Sequence, residues 1–382
     1  MVRLTCGSAL LFLVCVVSAR PQCAKGFCMV TEGGTSTPAV HSVPFYKKFS
    51  GKVKSIKTLL ARDLARYKVD TVAARAVGEA PGTNNDFSYV AATKVGTQTF
   101  ELLVDTGSSL TWVGAETRYT PGSTAVNTGK RFSVIYGDES TASGTEYTDT
   151  VVIGGLTIRN QSFGDATRSS GFNGVDGIIG FGPVDLTQGT VSGVTTVPTV
   201  MNNLFSQGTI STQVLGISFA PESGSDNDDT NGELTLGGTD PTKYSGSITW
   251  APTTTASPYN RAVVDTGTTL IYIPTAAYNS FLTASGGHTD HAAGLASWTA
   301  LPTHNFAFTI GGVSFSLTPS QFTVPTAQYA DWGLPSGKFY GLIANGGTVA
   351  AGVNFILGQK FLENYYSVFD TTDSRVGFAT GA

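Results

Sequence analysis

The sequence predicts an all-β body built as two related lobes that face each other across a cleft, and three observations carry that prediction. From Pro81 onward the chain runs as short alternating apolar segments broken by Gly, Ser, Thr and Asn, which are strand and hairpin signals. Only two stretches of this body read as helix: Val200 to Gln207, introduced by Pro198, and Thr275 to Thr283, just after Pro274. Finally, Leu102-Leu103-Val104-Asp105-Thr106-Gly107-Ser108-Ser109-Leu110 is answered by Ala262-Val263-Val264-Asp265-Thr266-Gly267-Thr268-Thr269-Leu270. A repeated unit of this kind predicts two lobes related by a pseudo-twofold axis.

Taken in chain order, the first element is a leader. Arg3, an apolar run from Ala9 to Val17 and the small residues Ser18 and Ala19 describe a secretory signal over residues 1–19, cleaved after Ala19. The run is too short to span a bilayer, and no later stretch reaches the roughly 18 apolar residues a span needs. The expected product is therefore secreted, extracellular or vacuolar, without a membrane partner.

All four cysteines, Cys6, Cys15, Cys23 and Cys28, precede residue 29. Once the leader is removed at most one pair, Cys23 and Cys28, remains, as a disulfide or as half a zinc site lacking its second half. The body must fold without disulfides, which a chain of this size can do by burial alone.

Residues 20–80 hold eleven Lys+Arg against four Asp+Glu, a balance of +7, whereas residues 81–382 hold eleven against 23, a balance of −12. An acidic body without a basic patch excludes nucleic acid and anionic membrane as natural partners. Within the basic segment, Ile56, Leu59, Leu60, Leu64 and Tyr67 recur at helical spacing and predict an amphipathic helix between Lys47 and Arg75. It reads either as a solvated helix or as a cover lying against an acidic cleft.

In the body, strands are expected at Phe87 to Ala91, Phe100 to Val104, Phe132 to Tyr136, Thr148 to Ile153 and Leu156 to Ile158. Residues 81–212 are read as the N-terminal lobe and 213–382 as the C-terminal lobe, with Ser223 to Asn231 as a second candidate boundary. Each copy of the repeat is followed by an apolar-apolar-Gly run, Ile178-Ile179-Gly180 in the first and Ile356-Leu357-Gly358 in the second.

The repeat also carries chemistry. An Asp at the end of an apolar strand, followed at once by Thr-Gly, sits on a tight turn where Gly allows close backbone approach. If the axis brings Asp105 and Asp265 together, the two carboxylates share one proton and titrate as a pair. Such a pair takes a proton from water and gives one to a carbonyl oxygen, which is amide hydrolysis without metal or cofactor. Ser108 and Thr268, three residues after each Asp, can donate to the outer carboxylate oxygens. A single Asp-Thr-Gly would read as an ordinary turn; two with matching flanks do not.

On these motifs the sequence resembles the pepsin-like aspartic proteases, and the fungal polyporopepsin-like branch in particular, from about Asp86 to Phe378. The resemblance implies a pepsin-like acid protease fold, an endopeptidase working on polypeptides at acidic pH, and a monomeric secreted zymogen whose prosegment, residues 20–80, is its own intramolecular inhibitor. It implies Asp105 and Asp265 as the catalytic dyad, with the proton sharing argued for pepsin itself, and Gly107, Ser108, Gly267 and Thr268 as its support. Tyr136, Gly137 and Asp138 match the flap, and Trp112 matches the tryptophan that holds the flap tyrosine. Trp112 also fits a core aromatic, and Asp138 fits either a contact to a basic substrate side chain or a solvated turn.

Two further features complete the reading. Asn160-Gln161-Ser162 is the single N-glycosylation sequon. His288, Asp290 and His291 share a Gly-rich loop that reads as mobile and polar rather than as a metal site.

One departure stands out, because only Thr253 to Val264 separate Trp250-Ala251-Pro252 from Asp265, where the family has an additional hairpin of roughly twenty residues. A strand out, a turn and a strand back do not fit in that length. The expected consequences are an unpaired sheet edge, a less firmly held Asp265 and, as an alternative function, a catalytically impaired pepsin-fold protein that binds peptides or partners. A secreted carbohydrate-binding sandwich would explain the Ser, Thr and Gly richness but not the repeat.

Overall fold

The computed structural model describes residues 10–13, 40–48, 56–65, 88–136, 140–219, 232–253, 262–347 and 355–382. The expected cleavage site after Ala19, Cys23, Cys28, Gly137 and Asp138 lie outside these residues. Within them, strands dominate and the two expected helices form.

Val200–Ser206 is capped by Thr199, whose Oγ1 accepts from the Asn202 amide at 3.2 Å while Asn202 Oδ1 accepts from the Thr199 amide at 3.1 Å. Thr275–Ser285 runs two residues further than expected, to Gly286 at φ 68°. Helices of four residues at Pro319–Phe322 and Gln359–Leu362 were too short to show a periodicity. The strands also run longer than the sequence suggested, notably Val126–Ile135, Thr141–Ile153 and Leu156–Ser170.

The internal repeat becomes a shared topology. In the N-terminal lobe, Gln98–Asp105 runs parallel to Gly177–Gly180, which is antiparallel to Trp112–Val113, itself parallel to Gly164 and Asp165. In the C-terminal lobe, Ala262–Val264 runs parallel to Phe355–Leu357, which is antiparallel to Ile271–Ile273, itself parallel to Ile343–Asn345. The order and the senses match, and in each lobe the first strand delivers the Asp of Asp-Thr-Gly.

The lobes differ on the outer side of that first strand. Gln98–Asp105 is flanked by its own hairpin partner Ser88–Val95, whereas Ala262–Val264 forms the edge of its sheet. Leu102 and Val104 are fully buried, but Ala262 is exposed and Val263 and Val264 are only half-buried. Among the described residues, Ala262–Val264 has no partner on that side, as the short stretch before Asp265 implied.

Ile153-Gly154-Gly155 and Ile310-Gly311-Gly312 are equivalent turns, and the N-terminal hairpin strand pairs Val95 and Lys94 with Val151 and Val152. At the corresponding place in the C-terminal lobe, Phe308 and Thr309 pair instead with Phe12 and Leu13 of a parallel strand Leu10–Leu13.

The basic segment is more embedded than an amphipathic helix would be, and the helix expected from Lys47 to Arg75 needs correction. His41–Lys48 is a strand between Gly232–Leu236 and Ser88–Val95, joining the two halves of a thirteen-stranded sheet. Val43, Phe45 and Lys47 alternate inward, the period of a strand, and Pro44 disfavours a helix there. Phe45 packs edge-on against Tyr89 and Phe219, with centroids at 5.4 and 5.0 Å. Gly232 makes the room, since a Cβ there would lie 2.2 Å from the Phe45 ring.

Among the described residues of this segment, helix spans Ile56–Ala65, whose Ile56, Leu59, Leu60 and Leu64 pack against Leu270, Tyr272 and Trp332 of the C-terminal lobe. Asp63, buried, accepts from the Thr269 amide at 3.2 Å and the Tyr272 hydroxyl at 3.0 Å. Tyr67 lies outside the described residues.

Lys47 is buried because it reaches a partner. Its Nζ lies 3.2 Å from Glu363 Oε1, and Lys360 Nζ lies 2.8 Å from Oε2, with the Tyr89 hydroxyl donating to the same carboxylate at 3.1 Å. Burial alone would raise the Glu363 carboxyl, but the charges of Lys360 and Lys47 prevail and bring it from an ordinary 4.5 down to about 2. A depressed carboxyl stabilises the fold above its unfolded pKa and loses that contribution as pH falls through its folded one. This contact therefore weakens only between about pH 4.5 and 2.

Glu363→Gln should destabilise the full chain by about 3 to 5 kcal/mol at pH 7, because two buried lysines lose their counter-charge, with the deficit shrinking as the pH approaches 2. Denaturant unfolding from pH 7 to 2 in an Asp105→Asn background tests this; a deficit independent of pH would contradict it.

Candidate active site

Each Asp is held by its own turn. Asp105 Oδ1 accepts from the Gly107 amide at 2.9 Å and Oδ2 from the Ser108 hydroxyl at 2.7 Å. Asp265 repeats the pattern, with Gly267 at 2.8 Å and Thr268 at 2.6 Å. Both residues are fully buried. The expectation that Asp265 is less firmly held is overturned, because its short strand is tied to Phe355–Leu357, and its amide donates to the Leu357 carbonyl at 3.1 Å.

The apolar-apolar-Gly runs explain themselves by contact. A Cβ at Gly180 would lie 2.5 Å from the Ser109 carbonyl carbon, and one at Gly358 would lie 2.3 Å from the Leu270 oxygen. In each lobe only glycine lets this strand pass beneath the turn.

The two turns are fastened to each other by the threonines between Asp and Gly. The Thr106 amide donates to Thr266 Oγ1 at 3.0 Å and the Thr266 amide donates to Thr106 Oγ1 at 3.1 Å. Each hydroxyl then crosses into the other lobe, Thr106 to the Val264 carbonyl at 3.0 Å and Thr266 to the Val104 carbonyl at 2.7 Å. The motifs meet so closely that a Cβ on Gly107 would lie 2.7 Å from Asp265 Oδ1. In the sequence alone these threonines read as turn residues; their repetition in both copies is the one signal of this role.

Above the turns lies a cleft of about 390 Å³ lined by Gly107, Ser108, Leu110, Val134, Tyr136, Leu186 and Asp265. Ile135 and Leu186 expose 77% and 50% of their surface at its mouth, an apolar lining that sequence reading did not single out. Trp112 Nε1 donates to the Tyr136 hydroxyl at 2.8 Å, and Phe172 packs edge-on to both rings. The Tyr136 amide donates to the Ser140 carbonyl at 2.9 Å across the tip of the hairpin.

This geometry coincides with a known family: a model described as eukaryotic aspartyl protease matches residues 88–262 and 253–381. The chain belongs to that family. The two matches meet between residues 253 and 262, the stretch where the sequence is short. Polyporopepsin of Irpex lacteus is 44% identical over 334 residues, covering 80% of this chain and 97% of that protein. Gastricsin of Cavia porcellus is 32% identical, covering 86% and 89%. The crystal structure of the aspartic proteinase from Irpex lacteus superposes with a TM-score of 0.74 at 39% identity, covering 90% of this chain and 98% of that one.

Among the described residues of this aspartyl protease, no group of three or more His, Cys, Asp or Glu is placed to hold a metal. The loop at Asp290 is pinned rather than mobile. Its carboxylate accepts from the Ala292 and Ala293 amides and pairs with Lys338 at 2.8 Å, and the bond from Lys338 holds it below the ordinary carboxylate range despite burial. Asn160 lines a separate groove.

Thr266→Val should strand the Thr106 amide and the Val104 carbonyl, each orphan costing about 1 to 3 kcal/mol. Adding Thr106→Val should cost less than the sum of the single changes. Unfolding measurements on the three variants check this; purely additive losses would argue against reciprocal coupling.

Proposed function

We propose that the chain is a secreted aspartic endopeptidase, made as a zymogen, that hydrolyses peptide bonds in proteins at acidic pH with Asp105 and Asp265 as its catalytic dyad. The observation that carries this is the reciprocal Thr106–Thr266 fastening, which puts the Asp265 carboxylate against Gly107 of the other motif.

In this reading the pair holds one proton. The ionised carboxylate takes a proton from water as the hydroxyl attacks the peptide carbonyl carbon, and the protonated partner gives its proton to the carbonyl oxygen. Collapse of the tetrahedral intermediate breaks the C–N bond, with a proton delivered to the leaving amine. The Ser108 and Thr268 hydroxyls keep the outer oxygens oriented, and Tyr136, held by Trp112, covers the substrate from the flap with Gly137 and Asp138. At high pH both carboxylates ionise and at very low pH both are protonated, so the rate falls on either side.

Residues 1–19 are the leader and residues 20–80 the prosegment, with lobes at 81–212 and 213–382. The strand at His41–Lys48 and the helix at Ile56–Ala65 support an inhibitory role, since both fill apolar surface of the body. Acid weakens the electrostatic hold of a +7 segment on a −12 body, yet Lys47 keeps its partner until about pH 2. Release in mild acid therefore begins elsewhere in the segment, and cleavage falls between Val77 and Asn85. The mature protein is a monomer acting outside the cell or in a vacuole.

Asp105→Asn and Asp265→Asn should each lower the rate by about 10³-fold or more and leave the chain at full length after a shift to acid. Cleavage assays with N-terminal sequencing read both effects; an unaffected rate, or a mature end inside Tyr89 to Val104, would overturn the assignment.

A further inference from the structure

Resting on the secretion reading, we propose that Asn160 carries an N-linked oligosaccharide whose inner N-acetylglucosamine units lie in the groove beside it. The strand Leu156–Ser170 is bulged at this point. Asp149 pairs with Gln161 and Val151 with Ile158, so Arg159 and Asn160 together face the single residue Thr150. Asn160 takes φ 52°, a conformation that Asn tolerates better than most residues, and it is exposed.

The other two sequon residues point inward. Gln161 donates to the Pro198 carbonyl at 3.1 Å and accepts from Asn203 at 3.0 Å, while the Ser162 hydroxyl donates to Glu146 at 2.6 Å, both buried. The bulge thus directs the acceptor outward while its neighbours anchor the strand.

The groove holds about 520 Å³ and is lined by Thr157, Arg159, Asn160, Gln207 and Thr209, within the range of small-ligand sites. Its floor is fixed, because the Arg159 amide donates to Gln207 Oε1 at 3.0 Å and Gln207 Nε2 donates back to the Arg159 carbonyl at 2.8 Å. Hydroxyl, amide and guanidinium groups on a fixed frame suit the hydroxyls and acetamide of an amino sugar, not an apolar ligand.

The donor is an oligosaccharide linked to a lipid pyrophosphate. A bond forms between Asn160 Nδ2 and the anomeric carbon, the bond from that carbon to the pyrophosphate oxygen breaks, and the amide proton leaves with the lipid pyrophosphate. Because the fold engages the Ser162 hydroxyl with Glu146, transfer precedes closure of this strand pair.

The test expresses the full chain in a eukaryotic host, under its own leader and under a proven foreign one, with intact masses read before and after an endoglycosidase that cuts between the inner two sugars. An oligosaccharide mass is expected that Asn160→Asp abolishes and Ser162→Thr preserves. The native protein should be trimmed about tenfold more slowly than the denatured one, the effect of one or two net hydrogen bonds, and Arg159→Ala should narrow that gap. An exported but unmodified chain overturns the glycan, and equal trimming rates overturn the groove. Export only under the foreign leader overturns the secretion reading while leaving the glycan to its own mass result.

Discussion

The molecule turns on four hydrogen bonds between Thr106 and Thr266 and the strands beneath them. An Asp at the end of one short strand has no special chemistry; two of them, on turns that hydrogen-bond directly to each other, are the arrangement the proposed chemistry needs. The glycines at 107, 180 and 358 are small because something passes within contact of each, and the hydroxyls of Ser108 and Thr268 are placed because the turns that carry them are closed.

Around this symmetric centre the lobes are unequal. Among the described residues, the N-terminal lobe flanks its Asp strand on both sides, whereas the C-terminal lobe flanks it on one. That the two carboxylates nevertheless accept equivalent bonds shows that the site is held from below, by the parallel strand and the partner turn, rather than from the flank. The difference appears at the periphery, where, among the described residues, Ala262–Val264 is an edge strand and Phe306–Ile310 pairs with Leu10–Leu13.

Local pattern made much of this legible. The β-rich class, the two principal helices and the duplicated Asp-Thr-Gly follow from alternation, proline placement and repetition, and the short stretch before Asp265 could be counted. What could not be read depends on partners distant in sequence. Lys47 belonged by composition to a basic helix; it is a buried strand residue because Glu363 lies across the sheet from it. The threonines of the two motifs look like turn residues until the lobes are juxtaposed, and the exposed Ile135 and Leu186 become meaningful only as walls of one cleft. Asp290, in a loop of apparent flexibility, is fixed by a lysine 48 residues away.

On the proposed function, a dyad fastened through its threonines works despite the shortened flank of the C-terminal lobe. Digestion of denatured globin by the secreted, processed protein from about pH 2.5 to 7, with and without pepstatin, tests it most directly. Acid-dependent cleavage blocked by pepstatin is the predicted result. A well-folded, processed preparation that cleaves nothing at any pH would contradict it and show that the missing hairpin is needed for catalysis.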